Sequence, residues 1–291
     1  MADASPVGIM GGSGLYEMPE MEVLEEVTVQ TPFGEPSDSY VRGRLSGKDV
    51  VFLSRHGRGH RWGAPDVNFR ANIYGFKSLG VDSLISVNAC GSMREDFKPS
   101  DVVIPDQYFD NTKGRADSFF AGFLAVHTDL ADPICPILAG TLYAAGKALN
   151  ADVHRGGTIL TMQGPGFSTR AESRIYRSWG VDLIGMTLAT EAKLAREAEL
   201  CYSSLSLVTD YDVWKPTAED VTIELILGNL RRSADTAKAI IRDSVAGISS
   251  ERPCRCRSAM ATAVVTNPDL VSEETRRDLR LLLGKYLPPG E

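Results

Sequence analysis

Short apolar runs recur along the chain, and most of them end in polar or glycine-rich residues. The clearest runs cover residues 7–10, 50–54, 84–92, 101–106, 157–162, 181–187 and 201–208. Apolar runs of this length, bounded by turn residues, are typical of buried strands. The pattern therefore predicts a sheet whose strands carry polar groups at their carboxyl ends.

Helical spacing of apolar residues appears between these runs. Helices are predicted over residues 67–79, 135–149, 169–180, 188–200, 221–245 and 272–283. Thr169 and Glu172 have the spacing of a capping box, and Gly80 and Gly284 follow helices as C-terminal caps. Strands that alternate with helices indicate an α/β fold, here a single domain with a mixed twisted β-sheet flanked by helices.

Composition narrows the class of protein. The 291 residues are 43% hydrophobic and 24% charged, and 31 Lys and Arg against 38 Asp and Glu give a net charge of -7. An acidic chain disfavours nucleic acid or an anionic membrane as a partner and favours small molecules. Residues 1–6 lack a basic leader, and no apolar run approaches the roughly 18 residues of a membrane span, so a cytoplasmic location is expected.

Five cysteines and four histidines are the residues from which a metal site could be built. Their spacing matches neither CxxC nor HExxH, so the sequence predicts no metal.

A glycine-rich segment, Gly11-Gly12-Ser13-Gly14, follows the first predicted strand. Glycines let backbone N–H groups approach an anion closely, and Ser13 adds a hydroxyl donor. The segment lacks the spacing of GxGxxG and of GxxxxGK[ST], so a dinucleotide is not predicted. It is a candidate phosphate loop, with a plain turn as the alternative.

A dense basic cluster, residues 55–60, follows the second predicted strand. The Arg55 guanidinium matches phosphate oxygens, and His56 can join as a donor or proton carrier. A solvated basic turn is the alternative. Asn88, at the end of the next strand, could hold phosphate or ribose hydroxyls, although a simple strand-end turn would have the same sequence.

Two carboxylates, Asp210 and Asp212, follow the last predicted strand. Residues two apart in an extended chain point to the same side, so both can reach one ligand. In a dry pocket one acid keeps its proton while the other stays an acceptor. Such a pair suits an aminopurine, accepting from its amino group and donating to N7. An acidic loop that binds water is the alternative.

Six segments in combination give the chain its family resemblance. It resembles the 5'-methylthioadenosine phosphorylases of the purine nucleoside phosphorylase superfamily over about residues 7–256. That likeness implies a purine nucleoside phosphorylase-like fold, with a phosphorylase domain over residues 1–248 and a C-terminal extension over residues 249–291, packed on the same domain or on a neighbouring subunit. The segments are residues 11–15, 31–38, 55–58, 67–72, 164–173 and 209–212.

The resemblance implies phosphorolysis of 5'-methylthioadenosine to adenine and 5-methylthioribose 1-phosphate. Inorganic phosphate is then a co-substrate, with no metal or organic cofactor. Homotrimers or homohexamers are implied, in which His127 reaches the pocket of a neighbouring subunit. The residues implied to hold phosphate are Ser13, Arg55, His56, Asn88, Ala89 and Thr187. The residues implied to hold the nucleoside are Phe167, Ser168, Met186, Asp210 (also the catalytic acid), Asp212, Ile223, Ile226 and Leu227.

Three positions depart from the family pattern. Asn88 stands where serine or threonine is usual, and relatives that prefer methylthioinosine carry asparagine there. Gly166 replaces an arginine, and Thr190 replaces a proline. Two alternatives therefore stay open: a purine nucleoside phosphorylase that prefers inosine, guanosine or methylthioinosine, and a non-catalytic nucleoside-binding protein.

Cys254-Arg255-Cys256 resembles the terminal CxC of archaeal methylthioadenosine phosphorylases, where disulfides occur in thermophilic members. Two free thiols in a reducing cytosol are the alternative.

Overall fold

The computed structural model of the chain describes residues 5–13, 15, 18–215, 223–251 and 253–287, with the backbone alone for residues 223–226. Eleven strands and seven α-helices lie within these residues. The strands are β1 (Val7–Gly11), β2 (Glu22–Val27), β3 (Tyr40–Leu45), β4 (Lys48–Ser54), β5 (Ser83–Ser92), β6 (Val102–Ile104), β7 (Gln107–Asn111), β8 (Val153–Arg155), β9 (Thr158–Met162), β10 (Leu183–Gly185) and β11 (Cys201–Asp210). The helices are α1 (Phe69–Ser78), α2 (Pro136–Ala148), α3 (Arg170–Ser178), α4 (Leu188–Glu197), α5 (Ile223–Val245), α6 (Glu273–Asp278) and α7 (Arg280–Leu283).

One mixed sheet contains all of these strands, in the order β2-β3-β4-β1-β5-β10-β9-β7 with β11, β6 and β8 branching from β5. Strand β5 is its centre, because it pairs in parallel with β1 and β11 and antiparallel with β10. The predicted α/β fold around a mixed sheet is confirmed.

The two longest strands, β5 and β11, lie almost entirely out of solvent. Helices α1 and α4 pack on each other, as do α2 and α5, and α2, α4 and α5 all contact β11. Strands covered by helices on both faces need apolar residues along their whole length. This requirement explains the apolar residues of the two strands, whose remaining positions are mostly small buried side chains such as Ser203, Ser204 and Ser206.

Several predicted elements match the structure closely. Helix α3 begins with the predicted capping box, in which Thr169 Oγ1 accepts from the Glu172 N–H and the Glu172 carboxylate accepts from the Thr169 N–H. Helix α2 is shorter than the predicted helix by one residue at each end. Gly80 follows the end of α1 with φ +81°, as expected for a C-terminal cap.

Other predicted elements differ from the structure. The strand predicted over residues 181–187 is only three residues long, because Thr187 already begins α4 as its N-cap. The helix predicted over residues 272–283 is two short helices that meet at Leu279. The first two residues of the helix predicted over residues 221–245 lie outside the described residues.

The C-terminal segment packs on the body of the same chain. Cys256, Met260, Leu279, Leu282 and Leu283 are buried in the hydrophobic core that also contains the central strands. The division of the chain at residue 248 stays a prediction. Among the described residues, no helix is both long enough and apolar enough to cross a membrane.

Candidate active site

A cavity of about 710 Å³ lies where β1, β4, β5, β10 and β11 end. Most of the predicted site residues line it. His127 does not: it is exposed, and its N–H donates to the Ala263 carbonyl. The side chains of Ile223 and Ile226 lie outside the described part of the chain. The predicted residues that line the cavity are Ser13, Arg55, His56, Asn88, Ala89, Phe167, Ser168, Met186, Thr187, Asp210, Asp212 and Leu227.

The Arg55 guanidinium is held tightly inside the protein. It forms a buried ion pair with Glu191 and donates to the Val87 carbonyl at 2.8 Å and to the Ser86 hydroxyl at 2.6 Å. Of its five N–H donors, these contacts use four, which leaves one hydrogen on Nη1. Gly12 leaves room for this arrangement, since a Cβ there would lie 2.2 Å from Nη1.

Glu191 completes this buried network. Its side chain has no exposure to solvent, and it accepts from the Tyr202 hydroxyl at 2.8 Å and from the Ser86 hydroxyl at 2.7 Å as well as from Arg55. A buried carboxylate is tolerated when charge and hydrogen bonds compensate it this fully. The pair fixes the position of Arg55 at one end of the cavity.

His56 is a neutral imidazole with a defined tautomer. Its Nδ1 lies 2.9 Å from the Trp62 carbonyl oxygen, which only accepts, so Nδ1 carries the hydrogen and Nε2 is an acceptor. Burial, together with the nearby Arg55 charge, lowers the pKa of His56 to about 3. The ring stacks on His60 with a centroid separation of 4.3 Å.

Asn88 presents an unpaired buried polar atom. Its Nδ2 lies 2.6 Å from the Ser204 hydroxyl oxygen, whereas Oδ1 is buried without a hydrogen-bond partner among the described residues. An amide that is turned by 180° keeps its shape and exchanges these two atoms. The side chain can therefore offer a ligand either an acceptor or a donor.

The N-terminus of α4 also borders the cavity. Thr187 is the N-cap residue, yet its hydroxyl makes no capping hydrogen bond and lines the cavity. The first turn of a helix carries partial positive charge and free N–H groups. Together with Ser13, Arg55 and His56, this helix end forms a surface suited to an anion.

The acid pair lines the same cavity, three residues further along β5 than Asn88. Asp210 is opposite Gly91 in the β5–β11 pairing, after a register shift between Val208 and Asp210. Such bulges re-aim side chains next to active sites. A Cβ on Gly91 would lie 2.9 Å from Asp210 Oδ1 and 3.4 Å from Asp212 Cβ, so both acids pack on this glycine.

The predicted convergence of the two acids is observed, but the predicted extended backbone is wrong. Asp212 has φ +49°, in the left-handed region, and its N–H donates to Asp210 Oδ1 at 2.7 Å. Asparagine and aspartate tolerate this conformation better than most residues. A tight turn, rather than strand alternation, brings the acids together.

Burial raises the pKa of both carboxyl groups. Asp210 Oδ2 lies 2.5 Å from Thr209 Oγ1, which in turn lies 3.1 Å from the Cys90 carbonyl. The single Thr209 hydroxyl hydrogen is donated towards Asp210 Oδ2 and the Cys90 carbonyl oxygen. Burial, the largest influence on the pKa of Asp210, outweighs these hydrogen bonds and favours the neutral form.

Asp212 keeps an acceptor available. Its Oδ2 is buried and has no hydrogen-bond partner among the described residues. A buried acceptor without a donor costs about 1–3 kcal/mol. A ligand N–H group at this position would remove that cost.

Apolar side chains line the space between the two polar ends. Met186 packs against Gly164, and Phe167 and Leu227 are exposed by 54% and 47% at the cavity mouth. Leu230 also lines the cavity and is buried. These side chains form a surface suited to an aromatic ring and an apolar substituent.

Sequence reasoning missed several residues that shape the cavity. Arg115 donates to the carbonyls of Met186 at 2.6 Å and Gln163 at 2.7 Å, and so holds two loops of the cavity in place. Thr209 belongs to one of the family segments, but no role was predicted for it or for Glu191. Arg55 lies 136 residues from Glu191 and Cys90 lies 119 residues from Thr209, so local spacing does not reveal these contacts.

The arrangement combines an anion surface, an apolar middle and an acid pair in one cavity. An anion held by the first group could attack a sugar whose base is held by the second. A protonated carboxyl group next to the base can then neutralise its departure. Such a site suits transfer of a glycosyl group to an anionic nucleophile.

Residues 6–246 match the phosphorylase superfamily. This is the class of protein that the mixed sheet and the two-ended cavity define.

Comparison with individual proteins identifies the family within this superfamily. The chain is 50% identical over 280 residues to an S-methyl-5'-thioadenosine phosphorylase of Koribacter versatilis (strain Ellin345), covering 96% of each chain. A crystal structure of a methylthioadenosine phosphorylase from an antarctic soil metagenomic library superposes with a TM-score of 0.90 at 45% identity, covering 97% of this chain and 99% of the other. A methylthioadenosine phosphorylase from Schistosoma mansoni in complex with adenine gives a TM-score of 0.85 at 34% identity, covering 90% and 99%. The chain therefore belongs to the S-methyl-5'-thioadenosine phosphorylase family.

Proposed function

We propose that this protein is a pentosyltransferase that catalyses phosphorolysis of 5'-methylthioadenosine. Phosphate attacks the anomeric carbon, the glycosidic bond breaks, and adenine and 5-methylthioribose 1-phosphate are released. The relatives named above support the substrate. The observation that supports the proposal most directly is the lining of the cavity, which includes both the buried acid pair and the residues of the anion surface.

Phosphate is held by Ser13, His56, Asn88, the Ala89 backbone and Thr187, in front of the α4 N-terminus. The neutral His56 ring accepts at Nε2 from the hydroxyl of hydrogen phosphate. Asn88 donates through Nδ2, with its Oδ1 turned to the Ser204 hydroxyl. Arg55 contributes its remaining Nη1 hydrogen, and its positive charge is fixed in place by Glu191.

Adenine is held by the acid pair. Asp212 Oδ2 accepts from the exocyclic amino group, which supplies the donor that this buried oxygen lacks. Asp210 is protonated and supplies its hydrogen at N7, where the departing base gains negative charge. General acid catalysis of this kind contributes about 10²- to 10⁴-fold.

The nucleoside occupies the apolar middle of the cavity. Phe167 packs near the adenine ring, Ser168 lines the base site and Met186 lies against the ribose. Leu227 borders the methylthio group, joined by Ile223 and Ile226. An apolar surface there favours CH3-S over a hydroxyl group, which would lose its hydrogen bonds with water.

No cofactor enters this reaction scheme. The oxocarbenium-like charge on the ribose is balanced by the clamped phosphate, which is both nucleophile and stabilising anion. The charge on the base is balanced by the Asp210 proton. Phosphate is therefore a co-substrate, and side chains supply the rest.

The working form in this proposal is a homotrimer or a dimer of trimers in the cytoplasm. His127, which lies away from its own cavity, reaches the methylthio end of the cavity of a neighbouring subunit. Its exposure on the described surface is compatible with such a contact.

The test is adenine release from 5'-methylthioadenosine and from adenosine, each with and without phosphate. We expect phosphate-dependent release with methylthioadenosine preferred. Asp210→Asn should lower turnover by about 10²-fold or more, because an amide carries no acidic proton. The control Asp96→Asn changes an exposed acid in a surface ion pair with Arg94 and should keep wild-type activity.

Two results would contradict the proposal. Faster turnover of inosine, guanosine or methylthioinosine would make the protein a phosphorylase of 6-oxopurine nucleosides. Tight binding of methylthioadenosine with no phosphate-dependent turnover would make it a non-catalytic nucleoside-binding protein.

A further inference from the structure

Four of the five cysteines lie together at the opposite end of β11 from the acid pair. Cys201 is the first residue of β11, Cys135 is the N-cap residue of α2, and Cys254 and Cys256 follow α5. Their four sulfur atoms all lie within 4.8 Å of one another. The fifth cysteine, Cys90, lines the active-site cavity instead.

The size of the cluster matches tetrahedral metal coordination. A zinc–sulfur bond of about 2.3 Å gives sulfur–sulfur separations of about 3.8 Å in a tetrahedron. The sulfur atoms of Cys201 and Cys254 lie 3.3 Å apart, well beyond the roughly 2.05 Å of a disulfide bond. Small adjustments of the four side chains would bring all of them to one ion.

The surroundings of the thiols also favour a bound cation. Cys135 lies at the N-terminus of α2, where the partial positive charge of the helix favours a thiolate. Cys135, Cys201 and Cys256 are buried. Buried thiolates require a compensating positive charge, and a soft divalent cation supplies it.

Contacts outside the cluster hold the CxC segment in place. Glu199 Oε1 accepts from the Met260 N–H at 3.1 Å and from the Tyr286 hydroxyl at 2.6 Å. The Cys135 N–H donates to the Tyr202 carbonyl at 2.9 Å, next to Cys201. The three segments that supply the cysteines are therefore fixed relative to one another by bonds that do not involve sulfur.

We propose that Cys135, Cys201, Cys254 and Cys256 bind one zinc ion as a structural site. Binding releases the thiol protons and forms four zinc–thiolate bonds, with no change in oxidation state. Since sulfur fills all four positions, the ion has no open position for chemistry. The site joins the C-terminal segment to the start of β11 and to α2.

Spacing in the sequence does not reveal this site, because the ligands are separated by 53 residues or more except within the CxC pair. The proposal concerns the fold and is independent of the proposed reaction. Strand β11 has ten residues, and at about 3.3 Å per residue the cluster lies roughly 30 Å from Asp210.

The test begins with reduced, metal-free protein that is titrated with Zn²⁺ and then analysed for bound metal. We expect one ion per chain, and with Co²⁺ as a probe we expect the thiolate charge-transfer and visible bands of tetrahedral cobalt. Cys254→Ser and Cys256→Ser should each weaken Zn²⁺ binding at least tenfold. Cys90→Ser, the matched control, should keep wild-type affinity.

A second measurement is made on the wild-type chain, so that it does not depend on the folding of a variant. Zn²⁺ should raise the thermal midpoint and protect residues 249–287 from proteolysis, while adenine release at low temperature stays the same. The proposal would be overturned if the wild-type protein bound zinc no more strongly than Cys256→Ser does. Two disulfide bonds in place of the metal site would also overturn it. Protein purified without reductant would then have a mass lower by two hydrogens for each of two cysteine pairs, and it would take up no zinc after reduction.

Discussion

His56 shows how a single residue can be set for one protonation state. Its ring is buried next to Arg55, and its Nδ1 hydrogen is bound to the Trp62 carbonyl. Protonation would place a second positive charge beside the first. The ring therefore stays neutral and keeps Nε2 as an acceptor, which the proposed function assigns to the hydroxyl of phosphate.

The lowered pKa of His56 predicts a loss of stability in acid. Between pH 6.5 and about 3 the unfolded chain binds a proton at this histidine that the folded chain does not. Stability therefore falls as the pH falls through this window, by about 2–3 kcal/mol between pH 7 and pH 4 from His56 alone. In His56→Gln, urea unfolding at a series of pH values should show a correspondingly shallower decline. An unchanged pH dependence would contradict the neutral, buried assignment.

At the scale of residues, the sequence predicted many of the side chains that line the cavity. It did not predict the backbone conformations that bring them there. Strand-end position was enough to select Ser13, His56, Asn88 and Asp210 for one cavity, because parallel strands end at one edge. The turn at Asp212 depends on its positive φ, and Thr209 acts through a bulge. Neither feature has a sequence pattern of its own.

At the scale of elements, β5 and β11 carry the central part of the cavity. Their parallel pairing runs from Ser83 and Cys201 to Gly91 and Asp210. Asn88 and Ala89 therefore lie beside Ser206 and Leu207, a few residues before the acids. Both polar ends of the cavity are positioned by one pair of neighbouring strands.

Helix α3 supports the base end through its capping box. It follows directly after Ser168 and is held at its start by Thr169 and Glu172. We expect Thr169→Ala to lower the free energy of unfolding by about 1 kcal/mol, since the Glu172 N–H then loses its side-chain acceptor. Urea denaturation measures this loss, and Thr169→Ser, which keeps the hydroxyl group, should stay within a few tenths of the wild type.

Helix caps could be predicted because their sequence signals are local. Two of the strands could not be predicted. The strand Gln107–Asn111 contains mostly polar residues, and Val153–Arg155 has only three residues, so neither gives an apolar run. Both form because a neighbouring strand supplies their hydrogen bonds, at Thr158–Met162 and at Val102–Ile104. Tertiary pairing of this kind has no local signature.

At the scale of the whole molecule, the proposed role of His127 requires an assembly. Loss of its contact with the methylthio end in His127→Ala should raise the KM for methylthioadenosine about tenfold, which corresponds to about 1.4 kcal/mol. In mixed oligomers of His127→Ala and Asp210→Asn chains, some cavities combine an intact Asp210 with an intact His127 from the neighbour. Those oligomers should recover a low KM.

The matched control for this experiment replaces the Asp210→Asn chain with one that carries both substitutions. That mixture contains no intact His127 and should keep the high KM. Recovery in the control, or no recovery in the first mixture, would show that His127 does not serve a neighbouring subunit. Sedimentation of the wild-type protein provides the mass of the assembly.

The pairing of β5 with β11 also bears on how substrate preference changes over evolution. In the proposed site, the base is held by residues after Val208 together with Phe167 and Ser168, whereas phosphate is held by β5, by other loops and beside the buried Arg55–Glu191 pair. If the proposed roles are correct, substitutions in the short segment after Val208 change the hydrogen bonds offered to the base and leave the Arg55–Glu191 pair unchanged. Related proteins with this sheet can thus come to accept different nucleosides while the reaction stays the same.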